Sequence, residues 1–106
     1  MNYCVVLVTA SSEPEAKTIA RALVEGRLAA CINIIPGLTS IYRWEEKICE
    51  DRELLLVIKT RGQKVAALRE RIVHLHSYAV PEVIALPIAD GSPCYLEWLG
   101  SCLAAP

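Results

Sequence analysis

Apolar residues recur with two different periods along this chain, and the switches between periods mark its elements. Residues 3–9 are a Val-rich run of the kind a buried strand shows. Ser12 follows, with Pro14 in the next turn and Glu15 three positions on, which is a capping-box start. Ala16, Ile19, Ala20, Leu23 and Val24 then line one helical face, and Gly26 stands where a left-handed cap would end that helix. Residues 28–44 return to strand, break at Pro36-Gly37, and resume through Thr39, Ile41 and Tyr42. After the polar turn Glu45-Glu46-Lys47, residues 48–60 form a second long strand. Val65, Leu68, Ile72 and Leu75 predict a second helix over 62–76. Pro81 precedes a strand over 82–88, Asp90-Gly91 turns the chain, and Ser92-Pro93 opens a short helix over 95–103.

The resulting order, β-α-β-β-α-β-α, predicts an α+β fold: a ferredoxin-like βαββαβ sandwich over residues 1–106 as a single domain. Its antiparallel four-stranded sheet would carry both main helices on one face, with a long central hairpin and a short C-terminal helix. The hairpin strands, each of some fifteen residues at about 3.3 Å per residue, would run roughly 45–50 Å. A domain of this size has a radius of gyration of only about 13 Å. The hairpin must therefore bend at Pro36-Gly37, project beyond its own domain, or do both. A lone ribbon is marginal in water, and this one carries Ile41, Tyr42, Trp44 and Ile48 near its tip. Tyr42 and Trp44 are the natural anchors of a contact with a sister chain, flanked by Ile41 and Ile48.

Composition supports an oligomer. Apolar residues make up 54% of the chain, yet no run approaches the ~18 residues of a membrane span. The longest, around 28–35, is interrupted by Asn33 and halted by Pro36. The surplus is expected at a subunit interface rather than in a membrane. A net charge of −1 with mixed signs gives no basic stripe for nucleic acid. Residues 5–8 are too short for a signal-peptide core, so a cytoplasmic location is expected. Five cysteines at irregular spacing, without a C-x-x-C, argue against a disulfide framework, a thiolate metal clip and a redox pair. The same gap excludes ferredoxin clusters and C-x-x-C copper chaperones, and aliphatic central strands exclude RNA-recognition motifs. No nucleophile–base pair suggests an enzyme.

The stretch Leu28-Ala29-Ala30-Cys31-Ile32-Asn33-Ile34-Ile35-Pro36-Gly37, then Thr39-Ser40-Ile41-Tyr42 and Trp44-Glu45, resembles the signature of the CutA divalent-cation-tolerance proteins. So do Ile58-Lys59-Thr60, Leu75-His76 with Tyr78, Val80-Pro81-Glu82 and Ala85-Leu86-Pro87-Ile88. The resemblance implies a thermostable homotrimer with the architecture of PII signalling proteins. It also implies a role in tolerance of copper and other divalent cations, and no catalytic activity. Cys31 and His76 fall on family-matching positions, and copper and zinc favour thiolate and imidazole, so these two with Glu82 are the candidate ligands for a loosely held Cu²⁺ or other divalent cation. The alternative is a PII-like signalling or scaffold trimer whose intersubunit clefts take a partner protein or a small anion, which Lys59 could meet. Three departures from the family pattern stand out: Ser77 and Ala79 replace a usual Pro and Glu, and Glu46 replaces the usual Gly at the hairpin tip.

Overall fold

The computed structural model describes residues 2–104. Strand β1 (Tyr3–Ala10) lies inside a four-stranded sheet with β2 (Cys31–Trp44), β3 (Lys47–Arg61) and β4 (Ile84–Pro87), of order β2-β3-β1-β4, and is antiparallel to both its neighbours. Its even positions Cys4, Val6, Val8 and Ala10 are buried, because that face carries the two long helices. Helix α1 (Glu13–Glu25) starts as its capping box dictates: Ser12 Oγ accepts the Glu15 N–H, with Pro14 in the first turn. Ala16, Ile19 and Leu23 fill its buried face. Helix α2 (Val65–Leu75), entered through a 3₁₀ turn at Gly62–Lys64, adds Leu68 and Ile72 to the same core.

Helix α1 ends differently from expectation. Gly26 keeps an ordinary φ of −80°, and Arg27 takes the left-handed conformation at φ 57°. The Leu28 N–H bonds Leu23 O and the Arg27 N–H bonds Val24 O, a Schellman closure whose reversing residue is Arg27. The Arg27 guanidinium offsets part of the conformational cost by donating to the Cys102 carbonyl at 3.1 Å. Residues 28–30 are consequently bend and irregular backbone rather than strand, and β2 begins at Cys31.

Strands β2 (Cys31–Trp44) and β3 (Lys47–Arg61) form the long hairpin, and the molecule is 44 Å along its main axis with a radius of gyration of 14.3 Å. The ribbon both projects and bends. Strand β1 stops at the Ala10↔Leu54 pair, so β3 runs on past it toward the tip with only β2 beside it. The pairing passes from Ile35↔Leu55 to Leu38↔Glu53, so Pro36 and Gly37 (φ 82°) together oppose Leu54 in a β-bulge. One inserted residue inverts the faces of β2. Ile32 and Ile34 point to the helices, whereas beyond the bulge Tyr42 and Trp44 share the other face with Asp51 and Glu53. At the tip Glu45 (φ 48°) and Glu46 (φ 70°) are both left-handed, a two-residue type I′ turn closed by Trp44↔Lys47.

Strand β4 (Ile84–Pro87) is shorter than expected: Ile84–Pro87 pairs with β1, and beyond it the Ile88 N–H still bonds Tyr3 O at 3.0 Å. Helix α3 (Pro93–Leu103) starts at Pro93, where the Ser92-Pro93 pair placed its opening, although the Ser92 side chain makes no cap bond. Leu99 and Leu103 pack with Tyr3 and Ala30 on the sheet face away from α1 and α2. The rest of that face is uncovered: Val5, Leu7, Leu55 and Val57 are half-buried, and Ile35, Ile84 and Leu86 are exposed.

Candidate functional site

Where the hairpin leaves the sheet, the 76–83 connection between α2 and β4 folds back over it. This connection is anchored by His76. The His76 N–H closes α2 onto Ile72 O at 2.8 Å, and its imidazole is buried. Its Nε2 lies 2.7 Å from Thr9 O, and its Nδ1 is 3.0 Å from the Tyr78 N–H. A carbonyl only accepts and an amide N–H only donates, so this pairing assigns neutral imidazole protonated at Nε2. Glu15 holds the next residue: Oε2 accepts the Ser77 N–H at 2.7 Å, and Oε1 accepts from Ser11. Burial alone would raise the Glu15 pKa, but the hydrogen bonds from Ser77 and Ser11 outweigh it and hold the carboxyl below its ordinary value.

With its backbone fixed, Tyr78 leans on the His76 ring at 4.6 Å between centroids and donates its hydroxyl to Glu53 Oε2 at 2.6 Å. Glu53 is 6% exposed. Burial, then the bond to Glu53, push the Tyr78 hydroxyl well above the ordinary tyrosine pKa. On the neighbouring rung Tyr42 donates to Asp51, a bond that, with the nearby acids, pushes its pKa up to about 12. Between these groups lies a cavity of about 540 Å³, lined by Tyr42, Trp44, Glu53, Tyr78, Val80 and Glu82 among others.

The candidate metal ligands are not gathered in one place. Glu82 lines the cavity and is exposed; His76 stands behind its wall, with Tyr78 between. Cys31 is on another rung: it pairs with Lys59, which pairs with Val5, whereas His76 bonds Thr9. Four residues along β1 amount to about 13 Å. The Lys59 ammonium lies 3.8 Å from Cys31 Sγ and donates to Asn33. Among the described residues no three His, Cys, Asp or Glu side chains converge as a metal site. His76 also has no lone pair to give, since one nitrogen donates and the other accepts. A single chain therefore does not fit the expected His76–Cys31–Glu82 ion. Ile41, Tyr42, Trp44 and Ile48 are all exposed on the projecting hairpin. Trp98 on α3 is exposed beside Tyr95. Glu53 was not singled out from the sequence; the one signal was an acid directly preceding the apolar run 54–58.

Residues 4–102 match the family model described as "CutA1 divalent ion tolerance protein". A divalent-cation tolerance protein CutA of Thermus thermophilus is 60% identical over 95 residues, covering 90% of this chain and 92% of that protein. The human protein CutA is 53% identical over 92 residues, 87% of this chain; the match spans only 51% of the human protein. A crystal structure of CutA from Xylella fastidiosa superposes with a TM-score of 0.95 at 38% identity, covering 98% of this chain and all of that one (100%).

Proposed function

Because this chain belongs to the CutA1 divalent ion tolerance family, we propose that it serves divalent-cation tolerance as a homotrimer in which sister chains supply what one chain lacks. One observation carries this: the uncovered apolar sheet face from Ile35 through Leu55, Val57, Val5 and Leu7 to Ile84 and Leu86, continued by Tyr42 and Trp44 on the same face of the ribbon. An apolar sheet face of this extent calls for a partner, and self-association covers it in every copy at once. Copper or another divalent cation would then be held weakly, by ligands drawn from more than one chain. Cys31, half-buried on the α3 side of the sheet beside Tyr95 and Lys59, and exposed Glu82 are the side chains that would contribute. No catalytic role is proposed. The five unpaired cysteines favour a reducing cytoplasm.

The rival anion-binding reading is disfavoured at Lys59, whose ammonium already donates to Asn33 and lies 3.8 Å from Cys31 Sγ. The proposal is tested by titrating Cu²⁺ and Zn²⁺ into the wild type and into Leu86→Asp, which places a charge on the open face without disturbing the buried core. Binding by the wild type that disappears when Leu86→Asp dissociates the assembly is expected. Undiminished binding by a dissociated chain, or none by the wild type, contradicts it.

A further inference from the structure

Glu53 lacks a counter-charge. It is 6% exposed, its hydrogen bond comes from the neutral Tyr78 hydroxyl, and among the described residues no cationic nitrogen lies within 4.0 Å of it. A buried carboxylate in that state is unfavourable unless a cation completes it. It faces a cavity lined also by Tyr42, Trp44, Tyr78 and Val80, with Thr9 and Ser40 as polar members and Glu82 as a second acid. About 540 Å³ suits a small organic molecule and is far larger than a bare ion, for which the converging ligands are also missing among the described residues. Aromatic rings with electron-rich faces beside a carboxylate favour ammonium groups carrying an apolar body.

We propose that this cleft binds a small organic ammonium ion, its N–H groups on the Glu53 carboxylate and its apolar body against Tyr42, Trp44 and Tyr78. All of these groups lie on one chain, but Tyr42 and Trp44 are shared with the face assigned above to sister chains, and Glu82 with the metal reading. The cleft must therefore stay open beside the sister chain. A sister chain at the hairpin would deepen the cleft.

The test uses the protein as purified, with three probes of one shape: phenethylammonium, 2-phenylethanol and 3-phenylpropionate. Binding is followed by calorimetry and by fluorescence in a Trp98→Phe background, where Trp44 is the sole tryptophan reporter. Phenethylammonium is expected to bind at least about tenfold more tightly than the alcohol, and the carboxylate not at all. Glu53→Gln, which keeps an acceptor for Tyr78, should weaken the ammonium about tenfold, to the alcohol's level. Trp44→Leu, on the exposed ribbon, should weaken it several-fold and serves if Glu53→Gln does not fold. Equal binding of ammonium and alcohol, an unaltered Glu53→Gln isotherm, or no ammonium binding up to about 10 mM overturns the proposal. So does Zn²⁺ taking the cleft in competition with phenethylammonium.

Discussion

Replacing Tyr78 with Phe deletes one hydroxyl and nothing else, and the structure sets what that should cost. The lost bond, 2.6 Å to Glu53 Oε2, is the hydrogen bond that holds a carboxylate only 6% exposed. Hydrogen bonds to charged groups contribute roughly 1.5–3 kcal/mol. The cleft lets water reach the vacated place, so the low end applies, about 1.5 kcal/mol. At roughly 4–8 °C per kcal/mol for a domain of this size, Tm should fall by about 6–12 °C. Because assembly makes Tm depend on concentration, the comparison is made at one protein concentration, with urea midpoints alongside. A double-mutant cycle with Glu53→Gln isolates the pair: against the neutral amide oxygen of that variant, the same change should cost about 1 kcal/mol or less. Equal costs in both backgrounds would show that Glu53 and Tyr78 are not coupled, and the reading of the cleft as an acid held by this phenol would fail.

Other parts of the molecule give equally definite expectations. Leu56→Ala, at a fully buried position on β3, should cost about 2–5 kcal/mol by urea unfolding, with unchanged m. Glu46→Gly relieves a left-handed side chain at φ 70° and should gain up to about 1 kcal/mol, read as a higher urea midpoint. The folded chain holds the Tyr42 and Tyr78 protons more tightly than the unfolded chain, whose tyrosines titrate near pH 10. Their stabilisation is therefore complete below about pH 10 and declines as pH rises toward about 12, seen as a falling Tm together with late tyrosinate absorbance. Glu15 has the opposite sign: its depressed pKa contributes stability above about pH 4.3, lost as pH falls through the lowered folded value, and Glu15→Gln should flatten that acid limb.

Much of the fold was legible because local chemistry and tertiary structure agree. Ser12, Pro14 and Glu15 fixed the start of α1, and two strands too long for one globule announced a projecting hairpin. What escaped depends on contacts between distant residues. A glycine at position 26 suggested the reversal there, but the Schellman bonds from 27 and 28 put it at Arg27. Pro36-Gly37 was visible as a break, but that its single extra residue turns Tyr42 and Trp44 onto the face of Glu53 requires the register against β3. Glu53 is buried by Tyr78, 25 residues away in sequence, and no periodicity encodes that meeting. His76 was conspicuous as a potential ligand; the groups that occupy both of its nitrogens, Thr9 O and the Tyr78 N–H, are backbone and carry no side-chain signature.

Sedimentation equilibrium over a wide dilution range bears most directly on whether sister chains cover the bare sheet face. A single species of three times 11.7 kDa, persisting on dilution, is the predicted outcome. A folded species of 11.7 kDa with Leu86, Ile84 and Trp44 open to water would contradict it.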